Sequence, residues 1–177
     1  YDYLNAYKES TVFDACYNEN LKLIEYLFKL GEIDVNKSNT YGKTILFIAC
    51  EKQNLEIIKY LCGIGADVNH KNCNGETPLF IACKRNNIEI IDFLLEQGSD
   101  LHHLNEKNET CLFGVRHINV FKLLLKNNID INCVNIFNKT PLMVYCKFNI
   151  FKIIKYIFDN NLINILKKYD YGNTLLH

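Results

Sequence analysis

The sequence predicts an all-α repeat solenoid, in which layers of two short antiparallel helices stack along the chain. Threonines recur at a spacing of 33 residues, at Thr44, Thr77 and Thr110. Each opens a similar apolar stretch, as in "KTILFIAC" and "ETPLFIAC". A second apolar stretch follows in every period, as in "NLEIIKYLCGIG" and "NIEIIDFLLEQG". Self-similarity at such a period indicates repeated units that bury their apolar faces on one another.

The first helix of each unit is predicted to begin after a threonine, whose side chain caps the helix. Pro78 and Pro141 follow two of these threonines, at the first helical position, where a missing N–H costs nothing. In the second helix, residues such as Ile91, Leu94 and Leu95 form one apolar stripe. Second helices are predicted to end at residue types that enter the left-handed conformation cheaply. These residues are Gly31, Gly65, Gly98, Asn128 and Asn161.

Equivalent asparagines lie in the loops between layers, where an asparagine side chain folds back on its own backbone and holds a hairpin turn. They are Asn39, Asn72, Asn105 and Asn135. The register gives one domain, 1–177, of five units, here called layers one to five, and a partial sixth. Their bounds are 5–38, 39–71, 72–104, 105–134, 135–168 and 169–177. Because the chain starts at Tyr1 rather than at methionine and stops within a unit, we expect it to be part of a longer protein.

Layer four departs from the pattern. It lacks three residues between Arg116 and His117, has Gly114 inside its first helix, and carries Cys111 at the proline position. Three residues are most of a helical turn. We therefore predict that this layer is the weakest joint of the array.

Charge and hydropathy exclude several function classes. The 20 basic and 20 acidic residues give a net charge of zero and are spread along the chain, so the sequence predicts neither nucleic-acid nor membrane-surface binding. The apolar stretch 150–166 is interrupted by Lys152, Lys155 and Asp159, so we predict no membrane span.

Four of the eight cysteines share one repeat position on the first helix: Cys16, Cys50, Cys83 and Cys146. Cysteine behaves as a small hydrophobic residue in a tight interior, so we interpret these four as packing residues. Side chains at one position in successive layers stand about 10 Å apart, whereas bridged Cα atoms lie within roughly 7 Å. We therefore expect free thiols, which favour a reducing, cytoplasmic compartment.

No pattern predicts a catalytic or metal site. His70, His103 and Cys133 share one repeat position, and a ladder at layer spacing cannot place ligands within the 2.0–2.3 Å that zinc requires. The "YGKT" at 41–44 lacks the first glycine of a phosphate-binding loop. We predict a chain without catalytic residues, cofactor, metal or small-molecule substrate, and hence not an enzyme.

The stretch "GETPLFIACKRNNIEIIDFLLEQGSD" resembles the ankyrin repeat, whose pattern carries T-P-L-H-x-A at a 33-residue period. The histidine of that pattern is replaced at five positions, where we expect apolar contacts instead. These positions are Phe13, Phe47, Phe80, Phe113 and Met143.

The resemblance implies a protein-protein interaction scaffold. Ankyrin arrays bind protein partners on a concave surface, made of the hairpin tips and the exposed side of the first helices. The positions of this chain implied to bind a partner are Tyr17, Asn18, Thr40, Tyr41, Lys43, Glu51, Lys52, Asn74, Glu76, Lys84, Arg85, Glu106, Lys107, Glu109, Ile136, Phe137, Lys139, Lys147 and Phe148. The resemblance also implies that Asn69 and Asn132 are candidates for modification by an oxygen-sensing asparagine hydroxylase, since each has Asp two residues and Leu eight residues before it.

Large apolar residues stand out among these positions, namely Tyr41, Ile136, Phe137 and Phe148. Desolvated aromatic groups supply much of the energy at protein interfaces, so the four are candidate anchors. Alternatively, Phe137 and Phe148 contact a further part of the parent protein.

Two other functions stay open at the level of sequence. The array could be the targeting arm of a larger enzyme, such as a ubiquitin-ligase adaptor or a kinase, whose working domain lies outside this chain. A nucleic-acid binder is less favoured by the balanced charge and predicts affinity that falls steeply with salt.

Overall fold

The computed structural model describes residues 2–31 and 33–162, with side chains from Ser10 onward. The helices are α1 (Asp2–Tyr17), α2 (Leu21–Lys29), α3 (Ile45–Lys52), α4 (Leu55–Gly63), α5 (Pro78–Arg85), α6 (Ile88–Glu96), a 3-10 helix (Cys111–Gly114), α7 (Ile118–Lys126), α8 (Pro141–Lys147) and α9 (Phe151–Asp159). The predicted all-helical repeat fold is confirmed. The partial sixth unit, 169–177, lies outside the described residues.

The layers stack in chain order. First helices pack on one another, α1 on α3, α3 on α5, α5 on the 3-10 helix and the 3-10 helix on α8. Second helices do the same where α6 meets α7 and α7 meets α9. The core is one continuous cluster of apolar side chains that runs through all five layers. Each layer therefore depends on its neighbours to cover its apolar stripe.

The predicted helix caps are present in most layers. The hydroxyls of Thr44, Thr77 and Thr140 accept hydrogen bonds from the backbone N–H three residues on, at 3.3–3.4 Å. Second helices have caps that the sequence reading missed: the side chains of Asn20, Asn54 and Asn87 accept N–H bonds in the same way. The predicted ends of the second helices all have positive φ, from 49° at Asn161 to 92° at Gly65.

In the described residues, the four hairpin turns with a predicted asparagine are closed by it. In layer three the Asn72 Oδ1 accepts the N–H groups of Asn74 and Glu76, both at 2.9 Å. The same pair of bonds is made by Asn39, Asn105 and Asn135. Because one oxygen satisfies two backbone donors, the tip of each layer has a fixed geometry.

The phenylalanines at the histidine position of the repeat pattern pack into the core. Phe47, Phe80 and Phe113 are buried, whereas Phe13 and Met143 are half-buried. Layer one differs from the others. Its first helix, α1, begins at Asp2 and continues without a break past the position at which the other first helices begin after a threonine.

Layer four has lost most of its first helix. Only the 3-10 helix Cys111–Gly114 remains in place of the eight residues of α5. The prediction that Thr110 caps this helix is wrong: its side chain makes no cap bond and lies 3.9 Å from the Cys133 Sγ. A 3-10 helix of one turn does not present an N–H to the hydroxyl in the α-helical position.

Tyr145 of layer five packs against the shortened first helix of layer four and occupies the position of Ala49 and Ala82 in layers two and three. Tyr145 is fully buried, and its hydroxyl donates a 2.8 Å hydrogen bond to the Leu112 carbonyl. Its ring meets the Phe121 ring edge to face, with centroids 5.9 Å apart. The larger side chain of layer five thus compensates for the shorter backbone of layer four.

All eight cysteines are free thiols. Cys16, Cys50 and Cys83 are buried in the core, as their shared position predicts. Cys146 is exposed, so the expectation that all four fill an interior slot is wrong for layer five. In layer one the equivalent Cys16 thiol donates to the Ile45 carbonyl of the next first helix at 3.5 Å, whereas in the described part of the chain no first helix follows α8.

Candidate protein-binding surface

The structure exposes most of the residues that the sequence assigns to partner binding. Tyr41 is 70% exposed, Phe137 62%, Ile136 61% and Phe148 55%. Those that are exposed on the tips and first helices are Tyr17, Asn18, Thr40, Tyr41, Lys52, Asn74, Lys84, Arg85, Glu106, Lys107, Ile136, Phe137, Lys139, Lys147 and Phe148. Apolar side chains of this size on a solvated surface are typical of protein interfaces.

The other four assigned residues are half-buried and bonded within the molecule. Lys43 and Glu51 form a 2.8 Å ion pair between a tip and a first helix. The Glu76 carboxylate accepts a hydrogen bond from the Asn72 amide at 2.9 Å. Glu109 accepts one from Asn135, in the next layer, at 2.8 Å. These residues hold the tips in place. The sequence alone did not distinguish this internal role from contact with a partner.

Successive tips are joined by backbone hydrogen bonds. The Cys73 N–H donates to the Tyr41 carbonyl, the Glu106 N–H to the Asn74 carbonyl and the Ile136 N–H to the Lys107 carbonyl, each at 3.0 Å. The row of tips is therefore continuous across the shortened layer. A rigid row presents its exposed side chains with little ordering cost on binding.

A pocket of about 260 Å³ lies between layers three and four, where the first helix is short. Its walls come from the tips, with Glu76 and Glu109, and from the first helices, with Lys84 and Arg116. Phe80, Phe113 and Gly114 also line it. Tips and first helices thus meet in a depression.

Arg116 is a surface residue that the sequence reading did not select. Its guanidinium lies 4.8 Å from the centre of the Phe148 ring, and it donates to the carbonyls of Phe113 and Val115 at 2.9 and 2.8 Å. The three-residue gap directly after Arg116 is the signal in the sequence that could have identified it.

The buried thiols are poor nucleophiles. Burial raises the pKa of Cys16 to about 12 and also raises that of Cys50. A hydrogen bond with the Cys111 thiol, together with burial, raises the pKa of Cys83. Because the thiolate is the reactive form, these groups fit a packing role.

Metal and membrane sites are likewise not indicated by the described residues. Within 2–31 and 33–162, no three histidine, cysteine or acidic side chains are placed to hold a metal ion. His103 instead makes a 2.7 Å hydrogen bond with the Gly75 carbonyl. Over the same ranges, no helix has the length and apolar character needed to cross a membrane.

Asn69 links two layers. Its side-chain amide donates to the Gly98 carbonyl at 3.1 Å and accepts from the Asp100 N–H at 2.8 Å. Asn36 makes the same two bonds one layer earlier. Layer three has His102 at this position, so the amide link is not repeated between layers three and four.

The fold defines a helical repeat protein whose hairpin tips are joined by backbone hydrogen bonds from layer to layer. The family model described as ankyrin repeats (3 copies) matches residues 12–108, more than half of the chain. The chain belongs to the ankyrin-repeat family, whose members are generally protein-protein interaction modules. No curated protein gives a significant match to the sequence.

Proposed function

We propose that this chain is a non-catalytic scaffold that binds a protein partner on its concave surface, with Tyr41, Phe137 and Phe148 as the main anchors. The observation that carries the proposal is the exposure of these rings on elements that the fold holds rigidly. Burying one such ring at an interface is worth roughly 1.5–3 kcal/mol.

Two of these anchors stand on closed turns. Tyr41 and Phe137 each follow a turn asparagine and donate their backbone N–H to its side chain, at 2.9 and 3.0 Å. Phe148 lies at the end of α8 under the guanidinium of Arg116. A partner that covers the three rings would span the surface from layer two to layer five.

The experiment is an affinity pull-down from lysate with the wild-type chain and two triple variants. The first carries Tyr41→Ala, Phe137→Ala and Phe148→Ala. The matched control carries Tyr26→Ala, Phe151→Ala and Phe158→Ala, which removes rings of the same kind that are exposed on second helices. Circular dichroism first establishes that all three proteins are folded.

A partner that is retained by the wild type and the control but lost by the first variant supports the proposal. Retention by all three proteins would show that binding does not use the concave surface. If the wild type captures no partner, the proposal fails and the alternative gains support, in which Phe137 and Phe148 contact another part of a longer chain.

The scaffold is proposed to work in a reducing, cytoplasmic environment, because all eight of its thiols are free. Labelling of fixed cells that places the protein in a secretory compartment would contradict this.

Asn69 and Asn132 are proposed as hydroxylation sites. Because the Asn69 amide is held by two bonds between layers, we expect its modification to require local opening of the loop. Intact mass after co-expression with an asparagine hydroxylase, compared between the wild type and an Asn69→Ala, Asn132→Ala variant, tests this. An unchanged wild-type mass would rule it out.

A further inference from the structure

A row of basic residues follows the ends of the first helices across the concave surface. Lys52 lies in the last turn of α3, Lys84 and Arg85 in that of α5, and Lys147 in that of α8. Arg116 comes two residues after the 3-10 helix. We call these five residues the basic row. It crosses layers two to five of a chain whose net charge is zero.

The helix dipole alone does not account for this row. A cation near a helix C-terminus is favoured in any helix. The second helices have the same dipole, and in the described chain they carry two last-turn cations, Lys29 in α2 and Lys126 in α7, while α4, α6 and α9 carry none. The first helices carry four, so last-turn cations are more numerous on the first helices than on the second.

The cations of the row lack carboxylate partners. Among the described side chains, Lys43 and Glu51 pair with each other, and no row member forms an ion pair. Lys52 lies 5.9 Å from the Tyr17 ring centre and Lys147 lies 5.6 Å from that of Phe148. Cations above exposed rings keep their charge available to a further ligand.

The pocket between layers three and four joins this charge to apolar surface. Lys84 and Arg116 lie on its helix side, and the rings of Phe80 and Phe113 line it. On the tip side, the carboxylates of Glu76 and Glu109 accept hydrogen bonds from asparagine amides. Glu76 and Glu109 are thus held in place by the fold, whereas Lys84 is exposed and unpaired. Glu106 and Lys107, both exposed, also line the pocket at the layer-four tip.

We propose that the basic row binds an acidic segment of the protein partner, with one carboxylate side chain entering the pocket beside Lys84 and Arg116 and apolar side chains covering the neighbouring rings. This rests on the proposed function, since it names the chemistry of the partner for that same surface. Charge complementarity selects the occupant, because the row offers five cations at or just after the ends of first helices in successive layers, and a segment with carboxylates at intervals satisfies them.

The test uses a labelled peptide of alternating glutamate and leucine, and fluorescence anisotropy at low ionic strength. The variant Lys52→Glu, Lys84→Glu reverses two exposed last-turn cations on first helices. The control Lys29→Glu, Lys126→Glu reverses two exposed last-turn cations on second helices, so net charge and helix-end charge change equally. A labelled single-stranded oligonucleotide of mixed sequence serves as the competing polyanion.

We expect the first variant to lose about tenfold or more in affinity for the peptide, and the control to change by less than about twofold. Equal losses in both variants, or no binding of the peptide by the wild type, would overturn the proposal. So would tighter binding of the oligonucleotide than of the peptide. If Lys52→Glu, Lys84→Glu does not fold by circular dichroism, the corresponding glutamine pairs replace both variants.

Failure of this inference is distinguishable from failure of the proposed function. The partner captured in the pull-down is also tested against Lys52→Glu, Lys84→Glu. A partner that requires the aromatic anchors but is unaffected by the reversed charges leaves the scaffold function standing and removes only the acidic segment.

Discussion

Layers three and four show how much of a repeat can be lost while the array continues. Layer three has an eight-residue first helix capped by Thr77 and a second helix capped by Asn87. Layer four has a 3-10 helix of four residues, and neither Thr110 nor His117 makes a side-chain cap bond. Both layers keep the same closed hairpin turn. The hairpin and the second helix therefore suffice to set the position of a layer, provided that a neighbour fills the missing volume.

The neighbour that does so is layer five. Where layers two and three place Ala49 and Ala82, layer five places Tyr145, which donates to the Leu112 carbonyl and packs on Phe121. The Leu112 carbonyl already accepts from the Val115 N–H at 3.2 Å, and the tyrosine hydroxyl supplies a second donor inside the core.

The largest expected effect is therefore at Tyr145. Replacement by alanine restores the residue type of Ala82 but leaves a cavity, so we expect Tyr145→Ala to lower the free energy of unfolding by about 3–5 kcal/mol. Tyr145→Phe keeps the ring and removes one of the two hydrogen bonds that the Leu112 carbonyl accepts, the other coming from the Val115 N–H at 3.2 Å, so we expect it to lower the free energy of unfolding by about 0.5–1.5 kcal/mol. Urea denaturation followed by circular dichroism measures both. If Tyr145→Ala lowers the free energy of unfolding less than Tyr145→Phe does, the cavity collapses and Tyr145 does not support layer four.

Two glycines provide a second comparison of layers three and four. A Cβ on Gly75 of layer three, at φ +72°, would lie 2.8 Å from the backbone nitrogen of Glu106. A Cβ on Gly114 of layer four would meet Lys84 Cβ at 3.5 Å and Phe80 Cε1 at 3.6 Å, which are ordinary contacts. We expect Gly75→Ala to lower the free energy of unfolding by about 1–3 kcal/mol and Gly114→Ala to lower it much less.

The measurement is the denaturation midpoint of each single variant beside the wild type. A Gly114→Ala loss as large as that of Gly75→Ala would mean that the shortened helix is packed as tightly as a hairpin turn, contrary to the pocket seen beside it.

The repeated parts of this molecule could be predicted from sequence because each has a local cause. A threonine at a cap, glycine or asparagine at a helix end, and an asparagine in a turn act through bonds to their own backbone, and Thr77 and Asn72 do so as expected. The fold class followed from their period. The exposed positions of the concave surface, such as Tyr41 and Phe137, followed from the register.

What could not be predicted depends on contacts between layers. In the sequence, Tyr145 cannot be distinguished from other apolar residues of the first helices. Its bond to the Leu112 carbonyl depends on the shortened first helix of another layer. Glu109 was selected as a binding residue, but its carboxylate is held by asparagines of two layers. Arg116 becomes a pocket residue because a deletion follows it. Cys146 shares its register with buried cysteines, yet exposure depends on what stacks against α8.

The caps provide a third comparison, with a smaller effect. Thr77 caps α5 through a 3.4 Å bond from the Phe80 N–H, whereas Thr110 makes no such bond. We expect Thr77→Ala to lower the free energy of unfolding by about 1 kcal/mol and Thr110→Ala to lower it by less than half of that. Thermal unfolding of the two variants, at one protein concentration, measures the difference. Equal costs would indicate that the 3-10 helix is capped in solution and that layer four is closer to the regular repeat.

The smallest effect is a gain of stability. His117 stands at the N-cap of α7 with extended backbone and no side-chain bond, at the position where Asn54 and Asn87 cap α4 and α6. His117→Asn should supply the missing bond and stabilise α7 by about 0.5 kcal/mol. Native-state hydrogen exchange detects a change confined to one layer. In the wild type we expect weaker protection in Ile118–Lys126 than in Ile88–Glu96, and in the variant a smaller difference. Equal protection of the two helices in the wild type would contradict a weak joint at layer four. It would mean that the shortened first helix does not lower the local stability of that layer, so that there is no loss for a new cap to offset.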